Sequence, residues 1–363
     1  MEYSKSDAGM NTITPIQYPI KISTLIEGGF LNELISVGNY SQLFVLVDSI
    51  TEIECYPKIK NIIPAHTLIS IATGEQHKHI DTCKEIWDVL AINNADRNAV
   101  LINLGGGVIG DMGGFAASTF KRGIAFIQMP TTLLSQVDAS VGGKLGVDYN
   151  SVKNIIGVFN NPIAVLIATD FLNTLPERQL TNGFAEVIKH GLIADKEYWE
   201  KISQENPTEI KDWVAIIQTS VNIKKHVVET DYKETGLRKT LNFGHTIGHA
   251  VETWSMQQDA DPLFHGEAIA IGMICEAFLS HLYLELHAKE LAAITNSILQ
   301  YFPGYNVKDL DTATLISFMM QDKKNCGDSI RFSLLNHIGD CNYDIAVKQN
   351  DILEALQFYS SQS

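Results

Sequence analysis

The chain has 363 residues, 45% hydrophobic and 19% charged, the balance of a globular protein with room for two separately cored domains. A formal net charge of −15 argues against nucleic acid or an anionic membrane as partner, since both would be repelled. A small anionic substrate stays open, provided that Lys and Arg gather locally.

The five cysteines, Cys55, Cys83, Cys275, Cys326 and Cys341, are odd in number and never spaced as Cys-x-x-Cys. That disfavours both a disulfide framework and a zinc–thiolate site. The leader Met-Glu-Tyr-Ser-Lys-Ser-Asp lacks the apolar core of a secretory signal. The most apolar long segment, Ala268 to Leu284, is broken by Gly272, Glu276, Ser280 and His281 and is too short to span a bilayer. The expectation is a cytoplasmic protein with no membrane partner.

In chain order, Gln42 to Asp48 is a continuous apolar run ending in an acid, the pattern of a strand buried on both faces. Thr67 to Ile71 is a shorter run of the same kind, and a helical period follows from Ile80 to Ile92. Val100 to Leu104, Ala125 to Met129 and Ala164 to Ala168 complete the strands, so the first half reads as an open, mainly parallel α/β sheet. From Asn173 the periods become helical and long. The boundary is set at Thr174-Leu175-Pro176, where proline disfavours helix before it. The expected domains are 1–173, α/β and Rossmann-like, and 174–363, mostly α-helical.

Gly105-x-Gly107-x-x-Gly110 follows a strand and opens a helix, the setting in which glycines let the backbone approach a pyrophosphate. The ribose-binding acid expected about 20 residues later is absent from Ile127-Gln128-Met129-Pro130. Asp48 lies upstream instead, and if it holds a ribose the strand order differs from the standard dinucleotide fold. Beyond, Thr131 and Thr132 close a strand, and Asp138, Gly142-Gly143-Lys144 and Lys153-Asn154 follow in a turn-rich segment that reads as a pocket.

Leu237 to His249 is read as one largely buried helix, with His245 and His249 one turn apart and Arg238 and Asn242 on or near the same face. With Glu186 and His265 these histidines are candidate ligands of an open, catalytic type of zinc site. Spacing does not say which two histidines bind. The zincin motif is excluded, because Thr246 stands where it needs a glutamate. Arg122, Lys144, Lys153, Lys189, Lys224, Arg238 and the pair Lys323-Lys324 supply local positive charge, although Lys323-Lys324 taken alone reads as a solvated face.

These motifs resemble the 3-dehydroquinate synthase family of sugar phosphate cyclases. The resemblance rests on Gly74 to Lys78, Gly105 to Asp111, Pro130 to Lys144, Lys153-Asn154, Ala185 to Lys189, Gly236 to Arg238, Leu241 to His249, His265 to Glu267 and Asp322 to Asn325, in the family's order. It implies a Rossmann-like NAD-binding domain, a helical domain and a site between them, in a carbon–oxygen lyase acting on phosphates.

The metal, zinc or cobalt, would be bound by Glu186, His245 and His265, leaving His249 to face the substrate. NAD would be held by Asp48, Glu75, Lys78, Gly106, Gly107, Val108, Asp111, Thr131, Thr132, Lys144, Lys153, Phe171, Thr174 and Leu175. The substrate would be an anionic sugar-acid phosphate, 3-deoxy-D-arabino-heptulosonate 7-phosphate, converted to 3-dehydroquinate and phosphate by transient oxidation, elimination, re-reduction, ring opening and aldol closure. Arg122, Lys153, Asn154, Lys224, Arg238, Lys323 and Lys324 would bind it, Arg122 from a second subunit of a homodimer. Lys144, Lys189, Asn242, His249 and Asp138 would line the reacting centre.

One position departs from the family: Gln179 follows Arg178 where an acid is usual. The alternatives are another sugar phosphate cyclase, a metal-dependent NAD polyol dehydrogenase of similar fold, and a silent nucleotide-binding scaffold.

Overall fold

The computed structural model describes residues 18–362 except 27, 151, 303, 308–309 and 321–329. Six strands, β1 (Ile20–Ser23), β2 (Leu43–Asp48), β3 (Thr67–Ile71), β4 (Val100–Gly105), β5 (Ala125–Pro130) and β8 (Ala164–Ala168), form one parallel sheet in the order β1-β8-β5-β4-β2-β3. Between β5 and β8 runs an antiparallel hairpin of β6 (Lys144–Tyr149) and β7 (Val152–Phe159), with Gly146 opposite Gly157.

The sheet is buried on both faces because its strands are apolar at every position. Phe44, Leu46, Leu101 and Phe126 join one core, whereas Val45, Val47, Ile102, Leu104 and Met129 join the other. Helices α1 (Gly28–Gly38), α2 (Thr51–Glu54), α3 (Tyr56–Ile59), α4 (Ile80–Ile92) and α5 (Gly107–Thr119) lie among these strands in the chain. The expected strands and the Ile80 to Ile92 helix are found within a residue of their bounds. β1 was not expected, being short with a charged residue inside it.

After β8 come α6 (Glu177–Ala194), α7 (Lys196–Ile202), α8 (Trp213–Thr230), α9 (His245–Gln258), α10 (His265–Tyr283), α11 (Ala288–Tyr301), α12 (Thr312–Met320) and α13 (Gln349–Gln362). A third core fills their interior, built on Phe184, Ile188, Phe243, Ile247 and Ile269 among many others. No described helix is long and apolar enough to cross a membrane.

One element was not foreseen and one expectation fails here. The helical half also holds an antiparallel hairpin, β9 (Ile330–His337) with β10 (Asp340–Val347), whose Phe332, Leu334 and Leu335 pack into the third core. And Leu237 to His249 is not one helix. Leu237–Asn242 is a 3-10 segment, and α9 begins only at His245. The break is Gly244 at φ 80, a left-handed conformation open to glycine at little cost.

Candidate active site

A cleft of about 1080 Å³ is lined at one end by the glycine turn and at the other by His245, His249 and His265. At the nucleotide end, β4 feeds Gly106 and Gly107 into α5, whose first turn offers backbone N–H groups. A Cβ on Gly106 would lie 3.1 Å from the Thr132 methyl, so the turn is close against the end of β5.

Strand β2 pairs directly with β4, which puts Asp48 beside this turn. From β2 the chain crosses outward to β3, whereas from β4 it crosses the other way to β5. The turn and Asp48 therefore flank a topological switch point, where open α/β sheets bind ligands. In space the acid stands where a dinucleotide fold wants it; only its place in the chain differs. Asp48 also spends Oδ1 on the backbone N–H groups of Ile50 and Thr51.

Of the expected cofactor residues, Asp48, Glu75, Gly106, Gly107, Val108, Thr131, Thr132, Lys153, Phe171, Thr174 and Leu175 line the cleft, as does Gln179. Lys144 is not among the lining residues, nor are Lys78 and Asp111. Lys78 and Asp111 pair at 2.7 Å, and Lys78 also donates to Asn154 at 2.7 Å.

At the other end Glu186 sits on α6, a helix buried from Asn182 to Ile193, and is fully enclosed. Its Oε1 lies 3.6 Å from His245 Nε2 and 3.8 Å from His265 Nε2. Oε1 has no hydrogen-bond donor among the described residues, and Oε2 faces Lys189 Nζ. Two ligands about 2.0–2.1 Å from a tetrahedral ion stand roughly 3.4 Å apart, so these spacings fit one divalent cation. His245 directs Nδ1 to the Phe243 carbonyl at 3.1 Å, and His265 directs Nδ1 to Glu252 at 3.4 Å. Each ring thus has its second nitrogen engaged and Nε2 towards Glu186, the usual posture of a metal-bound imidazole. His249 stands close by, its ring centroid 5.0 Å from that of His245 and 5.6 Å from that of His265.

The charge arrangement follows from α6. Lys189, one turn from Glu186, forms a buried ion pair with it. Burial alone would raise the Glu186 carboxyl, but Lys189 and the histidines hold it well below its ordinary value. Burial and then Lys189 keep His245 well below the ordinary imidazole range, hence neutral. His190, wholly buried and pushed down to about 4 by burial and Lys189, has neither ring nitrogen hydrogen-bonded among the described residues.

Near Glu186, Lys224 from α8 stands 2.6 Å from Asp138 Oδ1. Burial would raise Asp138, but Lys224, Lys189 and His190 together hold the carboxyl far below its ordinary range. Burial in turn lowers Lys224 to about 8 against the pull of Asp138. Arg238 is buried, donating to the carbonyls of Tyr232 at 2.6 Å and Gly142 at 3.1 Å. Lys144 pairs with Glu234, which also accepts from Asn242 at 2.8 Å.

Arg122 lies in a left-handed turn at φ 70 and, like Asp138, Lys144, Lys189, Lys224, Arg238 and Asn242, is not among the cleft-lining residues. Lys323 and Lys324 fall outside the described residues. Three acids escaped the sequence reading: Glu234, Glu252 and Glu276. Glu252 was findable, because His245, His249 and Glu252 recur at i, i+4 and i+7 on one helix face. Glu234 carries no such pattern.

Family models described as the N-terminal and C-terminal parts of 3-dehydroquinate synthase match residues 68–182 and 183–325. The chain belongs to the 3-dehydroquinate synthase family. It is 40% identical to the 3-dehydroquinate synthase of Parabacteroides distasonis over 91% of this chain and 94% of that one. A synthase of the same name from Acetivibrio thermocellus is 40% identical, over 87% and 89% of the two chains.

The fold matches a 2-epi-5-epi-valiolone synthase from Streptomyces hygroscopicus, solved with NAD+ and Zn2+, at a TM-score of 0.80 and 24% identity over 98% and 99% of the chains. It also matches a 2-deoxy-scyllo-inosose synthase solved with carbaglucose-6-phosphate, NAD+ and Co2+, at a TM-score of 0.78 and 24% identity over 94% and 96%. Family membership accounts for the motif order from Gly74 to Asn325, and the resemblance read from the sequence is borne out.

Proposed function

We propose that the protein is a 3-dehydroquinate synthase, turning 3-deoxy-D-arabino-heptulosonate 7-phosphate into 3-dehydroquinate and phosphate with NAD and a divalent metal. The observation that carries this reading is Glu186, flanked at 3.6 and 3.8 Å by His245 and His265, in a site that also opens onto a glycine turn. Lys189 pairs with Glu186, and Lys224 stands nearby on Asp138. A dehydrogenase acting on neutral polyols has no use for Lys144, Lys189, Lys224 and Arg238 around one carboxylate site.

Glu186, His245 and His265 would hold the metal, and the cleft-lining residues from Asp48 to Leu175 would hold NAD. When bound, NAD supplies reversible hydride transfer and the metal supplies Lewis acidity at the oxygen concerned. The chain's own residues bind and orient. Arg238 and Lys224 would hold the carboxylate side of the substrate, and Lys144, Asn242 and His249 the phosphate side. Asp138, kept ionised beside Lys224, would accept from a substrate hydroxyl, and Lys189 would donate to one. Lys153 and Asn154 face the cleft from β7 and would meet either ligand.

By family resemblance Arg122 would reach the substrate from a second copy, so the reading includes a homodimer. It also includes two domains, 1–173 and 174–363, and a cytoplasmic setting. The test is incubation of metal-reconstituted protein with the heptulosonate phosphate and NAD, following phosphate and the cyclic product. Detecting neither would overturn the reading, and NADH accumulating mole for mole with substrate consumed would point to a dehydrogenase.

A further inference from the structure

Glu252 lies on α9, 5% exposed, where three elements meet. Its Oε2 faces His265 Nδ1 at 3.4 Å at the start of α10. Its Oε1 accepts from Lys153 Nζ at 2.7 Å, and Lys153 belongs to β7 of the hairpin on the other side of the cleft. One buried carboxylate thus joins a candidate metal ligand to a cleft-lining lysine of the nucleotide-binding half.

The two candidate histidine ligands are oriented by different means. His245 has its Nδ1 on the Phe243 carbonyl, two residues away in the same backbone, so its ring is set by local geometry. For His265 the partner comes from another helix and is charged. An imidazole that donates its second N–H to a carboxylate is held in one tautomer and made a stronger ligand.

Resting on the metal-site reading above, we propose that Glu252 is a positioning residue of the metal centre. It fixes His265 with Nε2 towards Glu186, and through Lys153 it ties that orientation to the hairpin across the cleft. The role is distinct from binding substrate: Glu252 acts on metal affinity through His265.

The test uses the full chain stripped of metal, as wild type, Glu186→Gln, Glu252→Gln and Lys153→Met. Zinc affinity is read by competition with a chromophoric chelator, ligand geometry by the visible absorption of the cobalt-loaded protein, and folding by circular dichroism and the melting temperature of the metal-free form. Glu252→Gln keeps the shape of the side chain but loses the charge. It is expected to bind zinc roughly 10–100-fold more weakly, the loss typical of removing a ligand's carboxylate partner. Its cobalt spectrum should shift while the metal-free melting temperature holds. Lys153→Met should weaken zinc in the same direction but less, because the Glu252–His265 contact remains.

Glu252→Gln with wild-type zinc affinity and cobalt spectrum overturns the proposal. So does a loss of zinc that only parallels a loss of helical signal. If the wild type itself binds no zinc, or Glu186→Gln binds it as tightly as wild type, the metal-site reading fails first.

Discussion

Arg178 clamps Glu267 through two hydrogen bonds, Nε to Oε1 at 2.7 Å and Nη2 to Oε2 at 2.9 Å. The pair ties the first turn of α6, which carries Glu186, to the first turn of α10, which carries His265. The guanidinium also stacks on Phe264, 4.0 Å from the ring centroid, and Glu267 in turn accepts from the Phe264 N–H at 2.7 Å. Two of the three candidate metal ligands therefore sit on helices joined by one planar fork.

Arg178→Lys keeps the charge and loses the fork. Because the side chain is 38% exposed, solvent screens the pair, and the expected cost is about 1 kcal/mol. Thermal unfolding should show a drop of a few degrees, together with weaker zinc binding. An unchanged melting temperature and zinc affinity would show that the clamp carries nothing.

Gly272 on α10 faces Gly244 at the approach to α9, and a Cβ there would stand 1.9 Å from the Gly244 carbonyl oxygen. Backbone cannot swing aside as a side-chain tip can. Gly272→Ala is expected to push α9 away from α10 and to destabilise by about 3 kcal/mol, the upper range for overpacking. Denaturant unfolding measures it, and a loss under about 1 kcal/mol would mean that the helices adjust freely.

The strands and the glycine turn were legible because continuous apolar runs bounded by glycine carry their own signal, as at Val100 to Gly105. The break before His245 was not. Leu241, Phe243, Ile247 and Ala250 keep a helical apolar pattern straight through Gly244, and a lone glycine inside such a pattern does not by itself mark a break. What holds the new helix start is distant: Glu276, buried on α10, accepts from the N–H groups of Gly244 at 2.6 Å and Ile247 at 3.2 Å. Burial raises that carboxyl to about 8, against the pull of these donors.

The same limit applied to the cations. Sequence could gather Lys144 and Lys153 into a positive region, but not foresee that Glu234 and Glu252 would each take one. The hairpin of β9 and β10 was hidden because its second strand buries only Val347 and carries only a short apolar run, Ile345 to Val347.

Lys224 sets the expected pH dependence. Burial brings its folded value down to about 8 from an ordinary 10.5, so between these values the unfolded chain binds the extra proton. The stability penalty of burying this charge is therefore present below about 8 and relieved as pH rises towards the ordinary value. Binding runs the opposite way: the positive charge offered to an anionic substrate disappears through the same window. KM for the heptulosonate phosphate should rise as pH increases through about 8, and Lys224→Arg, which stays charged, should flatten that rise. An identical KM profile in the two proteins would remove Lys224 from substrate binding.

Glu186→Gln should abolish stoichiometric metal binding, measured by elemental analysis of the purified protein. Loss of a Lewis acid worth several kcal/mol should lower kcat by roughly 10³-fold or more. Full metal content in this variant would contradict the assignment of Glu186 as a ligand.

The central claim is that one site holds metal, NAD and an anionic substrate, and that NAD is regenerated within each turnover. The most direct measurement supplies NAD at far less than the substrate concentration and follows released phosphate and NADH absorbance together. The account predicts many phosphates released per NAD with no net NADH. Phosphate release that stops at one equivalent per NAD, with NADH rising in step, would contradict it.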